Sequence, residues 1–180
     1  MFKMNKGNVK MKLGYKELIE DWESKKKEWY TSNKEKIKSL FDVVTVEDNK
    51  DFRKKIIANV RDLDDLHQSD GFYMILNDEI NDGDCLEITN GSKTYRCVYR
   101  GESTELKDRL ISHLFNNSAK PKYTTCMKVN DKYVDLSNDN LNLSWLVVTY
   151  GMNGSTSEFR RMFEKAFDEK YGRPKYSIEK

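Results

Sequence analysis

The chain predicts a mixed α/β (α+β) domain: a small three-stranded antiparallel sheet flanked by helices, with an N-terminal helical extension. Three observations predict it. Up to about residue 66 the apolar residues recur at helical spacing. From Gly71 onward short apolar or alternating runs sit between turn signals. Two of those runs lead into amphipathic stripes that read as helices. The expected division is a basic arm and helical extension over 1–66, then a sheet-bearing domain over 67–180.

The elements follow in order. Lys3, Lys6, Lys10, Lys12 and Lys16 form a terminal run without acids, which reads first as a solvated arm and second as a phosphate contact. Tyr15, Leu18, Ile19, Trp22, Trp29 and Tyr30 mark a helix, with these aromatics expected in the core rather than as a stacking surface for bases. Ser32 with Glu35 has capping-box spacing and predicts a fresh helix start. Ile37, Leu40 and Phe41 continue its apolar face. Thr45 with Asp48 predicts another helix holding Phe52, Ile56 and Ile57.

Gly71–Leu76 reads as the first strand and Tyr95–Tyr99 as the second, with Tyr95, Cys97 and Tyr99 on one face. Asn81-Asp-Gly and Asn90-Gly between them are turn signals. Ser103 or Thr104 can cap a helix to about Asn116, striped by Leu106, Leu110, Ile111, Leu114 and Phe115. A short hairpin is expected around Asn130-Asp131. Leu143–Tyr150 is the third strand. Ser155 to about Lys170 is a closing helix with Phe159, Met162, Phe163, Ala166 and Phe167 inward.

Composition removes several classes. Charged residues make up 34% and mean hydropathy is −0.84, and no apolar run approaches the roughly 20 residues of a membrane span. The N-terminus lacks a signal-peptide apolar stretch. Cys85, Cys97 and Cys126 are odd in number and lack CxxC spacing, which argues against a disulfide framework and a structural zinc. A cytoplasmic location is the expectation. The net charge of +2 is unevenly spread: residues 67–90 carry six acids and no Lys or Arg, so that stretch is not expected to face a polyanion.

The most specific segment is Val98-Tyr99-Arg100-Gly101, followed by Arg109 ten residues after Tyr99 and His113 four further on. With Gly71-Phe72-Tyr73 ahead of it, this resembles the GIY-YIG nuclease signature. Glu164 in Met-Phe-Glu-Lys, followed by Pro174-Lys175-Tyr176, stands where that family places its acidic residue. The resemblance covers residues 71–177. It implies metal-dependent hydrolysis of DNA phosphodiesters, with Tyr73, Tyr99, Arg109, His113 and Glu164 as the site. Glu164 would hold Mg2+ or Mn2+, since magnesium takes one or two carboxylates and fills its other positions with water and phosphate. Arg109 would grip the phosphate, Tyr99 would orient or deprotonate the water, His113 would relay its proton, and Tyr73 would position Tyr99 or the water.

Each residue also has a structural reading. Tyr99 fits a half-buried sheet tyrosine and His113 a satisfied histidine. Arg109 with Glu105, or Glu164 with Arg160, fits an i,i+4 ion pair. Glu158 and Glu169 compete with Glu164 for the metal. Tyr73 and Tyr99 are 26 apart, wider than the family's spacing, so the acidic stretch 78–92 reads as an insertion at the sheet's margin. Ser177 stands where many members have Asn. Arg100, opposite to Tyr99, would meet an acid or DNA. A restriction or phage-defence nuclease, including a homodimer, is the expected type. The alternative is a catalytically inactive nucleic-acid-binding or interaction module of the same fold.

Overall fold

The computed structural model describes residues 15–42, 50–80, 85–115, 126–138 and 143–177. The lysines of residues 3–12, the Thr45–Asp48 helix start and the Asn81-Asp82-Gly83 turn lie outside these residues. The chain divides into two compact units, Met1–Lys34 and Glu35–Lys180. Helix α1, Tyr15–Leu40, supplies the described part of the first and continues into the second without a restart at Ser32. That corrects the expected break: Ser32 and Glu35 sit in an uninterrupted helical run. A second correction concerns its face, because Tyr15, Leu18, Ile19, Trp22 and Trp29 are exposed rather than core.

The second unit is a five-stranded antiparallel sheet, not a three-stranded one. Its strands are β1 (Phe52–Ile57), β2 (Gly71–Asn77), β3 (Glu87–Asn90), β4 (Lys93–Ser103) and β7 (Trp145–Gly151), in the order β1-β7-β2-β4-β3. A separate two-stranded hairpin, β5 (Lys128–Val129) and β6 (Lys132–Tyr133), turns through Asn130 and Asp131, both at positive φ. Helices α2 (Leu106–Leu114) and α3 (Ser157–Tyr171) complete the unit. Phe52–Ile57 was expected to be helical and is a strand. Its register with β7 buries Phe52 and Ile57, one at each end, and pairing with a neighbouring strand overrides the local helical spacing. A short 3-10 helix, Val60–Asp65, follows β1, capped by Asn59 and Asp62 in a reciprocal box.

β2 is buried along its whole length, as a central strand covered on both faces must be. Its α2 face carries Tyr73 and Ile75, in one core with Val98, Leu106, Leu110, Leu114, Trp145 and Val147. Its opposite face carries Phe72, which packs against Phe41 and Phe167. The β3–β4 hairpin accounts for the described part of the acidic insertion and lies at the sheet's margin, with Gly91 at φ 64 in its turn. The outer edge of β4 is met by the chain after α3. Tyr176 N donates to Val98 O at 3.1 Å, Arg100 N donates to Ser177 Oγ at 2.9 Å, and Ser177 Oγ donates to Arg100 O at 3.4 Å.

Candidate functional site

The β2–β4 register positions the two tyrosines. Tyr73 lies opposite Gly101, and Ile75 opposite Tyr99. The next pair is Leu76 with Cys97, so Val98 is an extra residue in β4. A bulge of this kind re-aims the side chains on one side of it. Tyr99 therefore shares a face with Tyr73, while Cys97 faces α3. The expectation that Tyr95, Cys97 and Tyr99 share one face fails at this bulge, which simple alternation cannot foresee.

Gly101 is required by close approach. A Cβ there would lie 2.4 Å from the Tyr73 hydroxyl oxygen and 2.6 Å from Cζ. The missing side chain lets the Tyr73 ring lie over the β4 backbone. Its hydroxyl then reaches His113 Nε2 on α2 at 2.8 Å. The Tyr73 and Tyr99 rings are near-parallel with centroids 6.1 Å apart, and the His113 ring is 4.5 Å from that of Tyr99. Tyr73 and His113 are 2% and 1% exposed, whereas Tyr99 is only partly buried and forms the accessible end of the cluster.

Arg109 and Glu164 act on the two tyrosines by charge. Burial pushes the Tyr99 phenol above its ordinary value. The Arg109 charge and a hydrogen bond with Tyr73 pull it back, and Glu164 pushes it up. Tyr73 is held well above its ordinary value, first by burial and then by Tyr99, with Arg109 opposing. Tyr73, Tyr99 and His113 thus form one cluster on the α2 face, and the charges of Arg109 on α2 and of Glu164 on α3 both act on Tyr99. At neutral pH both tyrosines are phenols, and a free Tyr99 phenolate is not favoured.

The α3 face holds what the sequence reading missed. Glu164, 9% exposed, accepts from Arg100 Nη1 through Oε1 at 3.1 Å. Asp168 takes the other side of the same guanidinium, at 2.9 Å from Nε and 2.5 Å from Nη2. Arg160, 1% exposed, donates to Glu102 at 3.0 Å and to Asp70 at 3.2 Å. Arg100 therefore meets acids, one of its two expected options. Glu164 pairs with Arg100 rather than with Arg160. The available signal was the spacing of Arg160, Glu164 and Asp168 at successive helical turns, facing Arg100 and Glu102 two apart on a strand.

The donor set is compatible with a divalent cation. Arg100 is matched bidentately by Asp168, so the Arg100–Asp168–Glu164 group keeps one net negative charge. A carboxylate offers about four lone-pair positions, of which Arg100 uses one. Glu164 is the residue that would hold the ion, and Asp168 is committed to Arg100. Among the described residues no group of three or more His, Cys, Asp or Glu is arranged around a common point. No helix of the described residues is long and apolar enough to cross a membrane. A scan against protein-family models found no match for this chain, and searches of curated proteins and of solved structures found none either.

Proposed function

We propose that the chain is a GIY-YIG-type endonuclease that hydrolyses DNA phosphodiesters with the help of Mg2+ or Mn2+. The observation that carries this reading is the line from Tyr99 through Tyr73 to His113, with Arg109 and Glu164 acting on it from two different helices. Tyr99, the partly exposed member, orients the attacking water. Because its phenolate is disfavoured, the water's proton leaves by transfer rather than by prior ionisation. Tyr99 takes it while passing its own to Tyr73, and Tyr73 passes its own to His113 Nε2. Arg109 binds the phosphate oxygens and offsets the charge that builds on them. As the water oxygen bonds to phosphorus, the bond from phosphorus to the sugar oxygen breaks, and Glu164 would hold a cation that would offset the charge left on that oxygen. Arg100 fixes the Glu164 carboxylate in place, as outer partners of metal ligands do. A phage-defence or restriction role suits this activity, in a cytoplasmic setting.

The test is plasmid nicking with and without EDTA. Wild type should nick in magnesium or manganese. Tyr99→Phe and Glu164→Gln should each stop cleavage while DNA affinity is kept. Arg109→Ala should lower both, since it removes a phosphate contact. The second reading, a binding module without catalysis, is favoured by one observation: Arg100 already occupies part of the Glu164 carboxylate. Wild type that binds DNA and cleaves no plasmid, branched or single-stranded substrate in either metal would establish that reading and end the first.

A further inference from the structure

On α1 the residues Tyr15, Leu18, Ile19, Trp22 and Trp29 are exposed, with Trp22 at 54%. Their spacing places them on one stripe of the helix, about 21 Å long from Tyr15 to Trp29 at 1.5 Å per residue. A lone exposed apolar residue needs no explanation, but a stripe with two tryptophans, interrupted by Lys25 and Lys26 between them, marks a contact surface. We propose that a second copy of this chain covers it, with the two α1 helices packed antiparallel.

Two features select this occupant. The aromatic residues of the stripe are symmetric about Trp22, since Tyr15 and Trp29 each lie seven residues from it, while Leu18 and Ile19 have the stems of Lys26 and Lys25 at the mirrored positions. Antiparallel pairing brings the two Trp22 side chains together at the two-fold axis and sets Tyr15 of each copy beside Trp29 of the other. The charges are also complementary to their own reversal. Residues 15–23 carry Glu17, Glu20, Asp21 and Glu23 against Lys16 alone, whereas residues 24–29 carry Lys25, Lys26 and Lys27 against Glu28. Reversing one helix sets the acidic half against the basic half, and a parallel pair sets like against like. The ion pairs within the helix, Lys25 with Asp21 and Lys26 with Glu23, are exposed and weak enough to exchange for pairs between copies. The same acids disfavour a nucleic acid as the occupant, although tryptophans beside lysines would otherwise suit stacked bases. The inference is independent of the nuclease reading.

The experiment is sedimentation equilibrium on the full chain. A self-complementary interface of this size predicts a mass rising from 21.3 kDa toward twice that across micromolar concentrations. Trp22→Glu with Ile19→Glu should weaken association at least tenfold while the far-ultraviolet dichroism stays unchanged, because both side chains are exposed. Two charge variants sharpen the geometry. Glu17→Lys/Glu20→Lys/Glu23→Lys and Lys25→Glu/Lys26→Glu/Lys27→Glu should each lose self-association and should form a mixed dimer with one another. A single-chain mass at every soluble concentration would overturn the proposal, as would a dimer that survives Trp22→Glu. Charge variants that self-associate like wild type would overturn the antiparallel arrangement. Loss of DNA binding in the Trp22 variant of a single-chain protein would assign the stripe to nucleic acid instead.

Discussion

The two faces of the sheet solve the same problem, how to keep polar groups inside a core, in different ways. On the α2 face Tyr73, Tyr99 and His113 are packed rings, joined by the bond from the Tyr73 hydroxyl to His113 Nε2, within an apolar cluster. On the α3 face Arg100, Glu102, Arg160 and Glu164 are charges buried as pairs. The α2 face can pass a proton from hydroxyl to hydroxyl and on to His113 Nε2. The α3 face cannot lose a member without stranding its partner. The difference suggests a division of labour, with proton transfer on one face and, on the other, a rigid frame of ion pairs that fixes the Glu164 carboxylate, and substitutions can test it.

The largest effect is expected at Arg160. Arg160→Met removes the buried partner of Glu102, leaving only the exposed Arg161 at 3.9 Å, and the partner of the half-buried Asp70; breaking a buried pair in this way costs roughly 3–5 kcal/mol. Urea denaturation should show a large fall in midpoint. A loss under about 1 kcal/mol would mean that water screens this face and that the contrast between faces is overstated.

Gly101→Ala comes next. Its Cβ must displace the Tyr73 hydroxyl, at a cost of roughly 1–3 kcal/mol for overpacking. The variant should fold and lose nicking by more than Tyr73→Phe does, because the whole ring moves. Full activity in Gly101→Ala would detach the Tyr73–His113 contact from function.

Tyr73→Phe keeps the ring and removes the hydroxyl from His113 Nε2, for about 1–2 kcal/mol. It also carries a pH signature. The unfolded Tyr titrates near 10.0, whereas burial raises the folded value well above this. The stabilisation is therefore fully present below pH 10.0 and is lost as pH rises from there toward the folded value. Comparing denaturation at about pH 8 and about pH 11 should show a drop in wild type that is smaller in Tyr73→Phe. Equal drops would place the alkaline sensitivity elsewhere.

Ser177→Ala should be the mildest, at roughly 0.5–1.5 kcal/mol for one side chain bonded to the Arg100 backbone. It discriminates between a catalytic and a structural Ser177. Unchanged cleavage per folded molecule is expected, and a collapse in rate would move Ser177 into the reaction.

Much of the second unit was legible in the sequence because its signals are local. Asn90-Gly91 and Asn130-Asp131 mark turns, and the stripe from Leu106 to Leu114 marks a helix whatever surrounds it. The clustering of Tyr73, Tyr99 and His113 agrees with their order and spacing. What was hidden depends on partners distant in sequence. Phe52–Ile57 is a strand only because β7 lies beside it, and without that pairing its apolar residues fit a helix. The Val98 bulge is invisible until β2 supplies the register. The exposed stripe of α1 looks like core in any periodicity argument, since periodicity reports an apolar face and not what covers it.

The contacts of Tyr176 and Ser177 with the edge of β4 have a consequence for solubility. An unpaired strand edge is a template on which another chain can add, and it is a common starting point for fibrils. From Val98 to Arg100 that template is blunted, because a main-chain amide and a hydroxyl already occupy its bonding positions. At the other side of the sheet β1 presents Arg53, Lys54 and Lys55 in a row, so two copies meeting edge to edge would bring like charges together. One edge is plugged and the other repels its own kind, and in this way a sheet with a fully buried middle strand can stay finite.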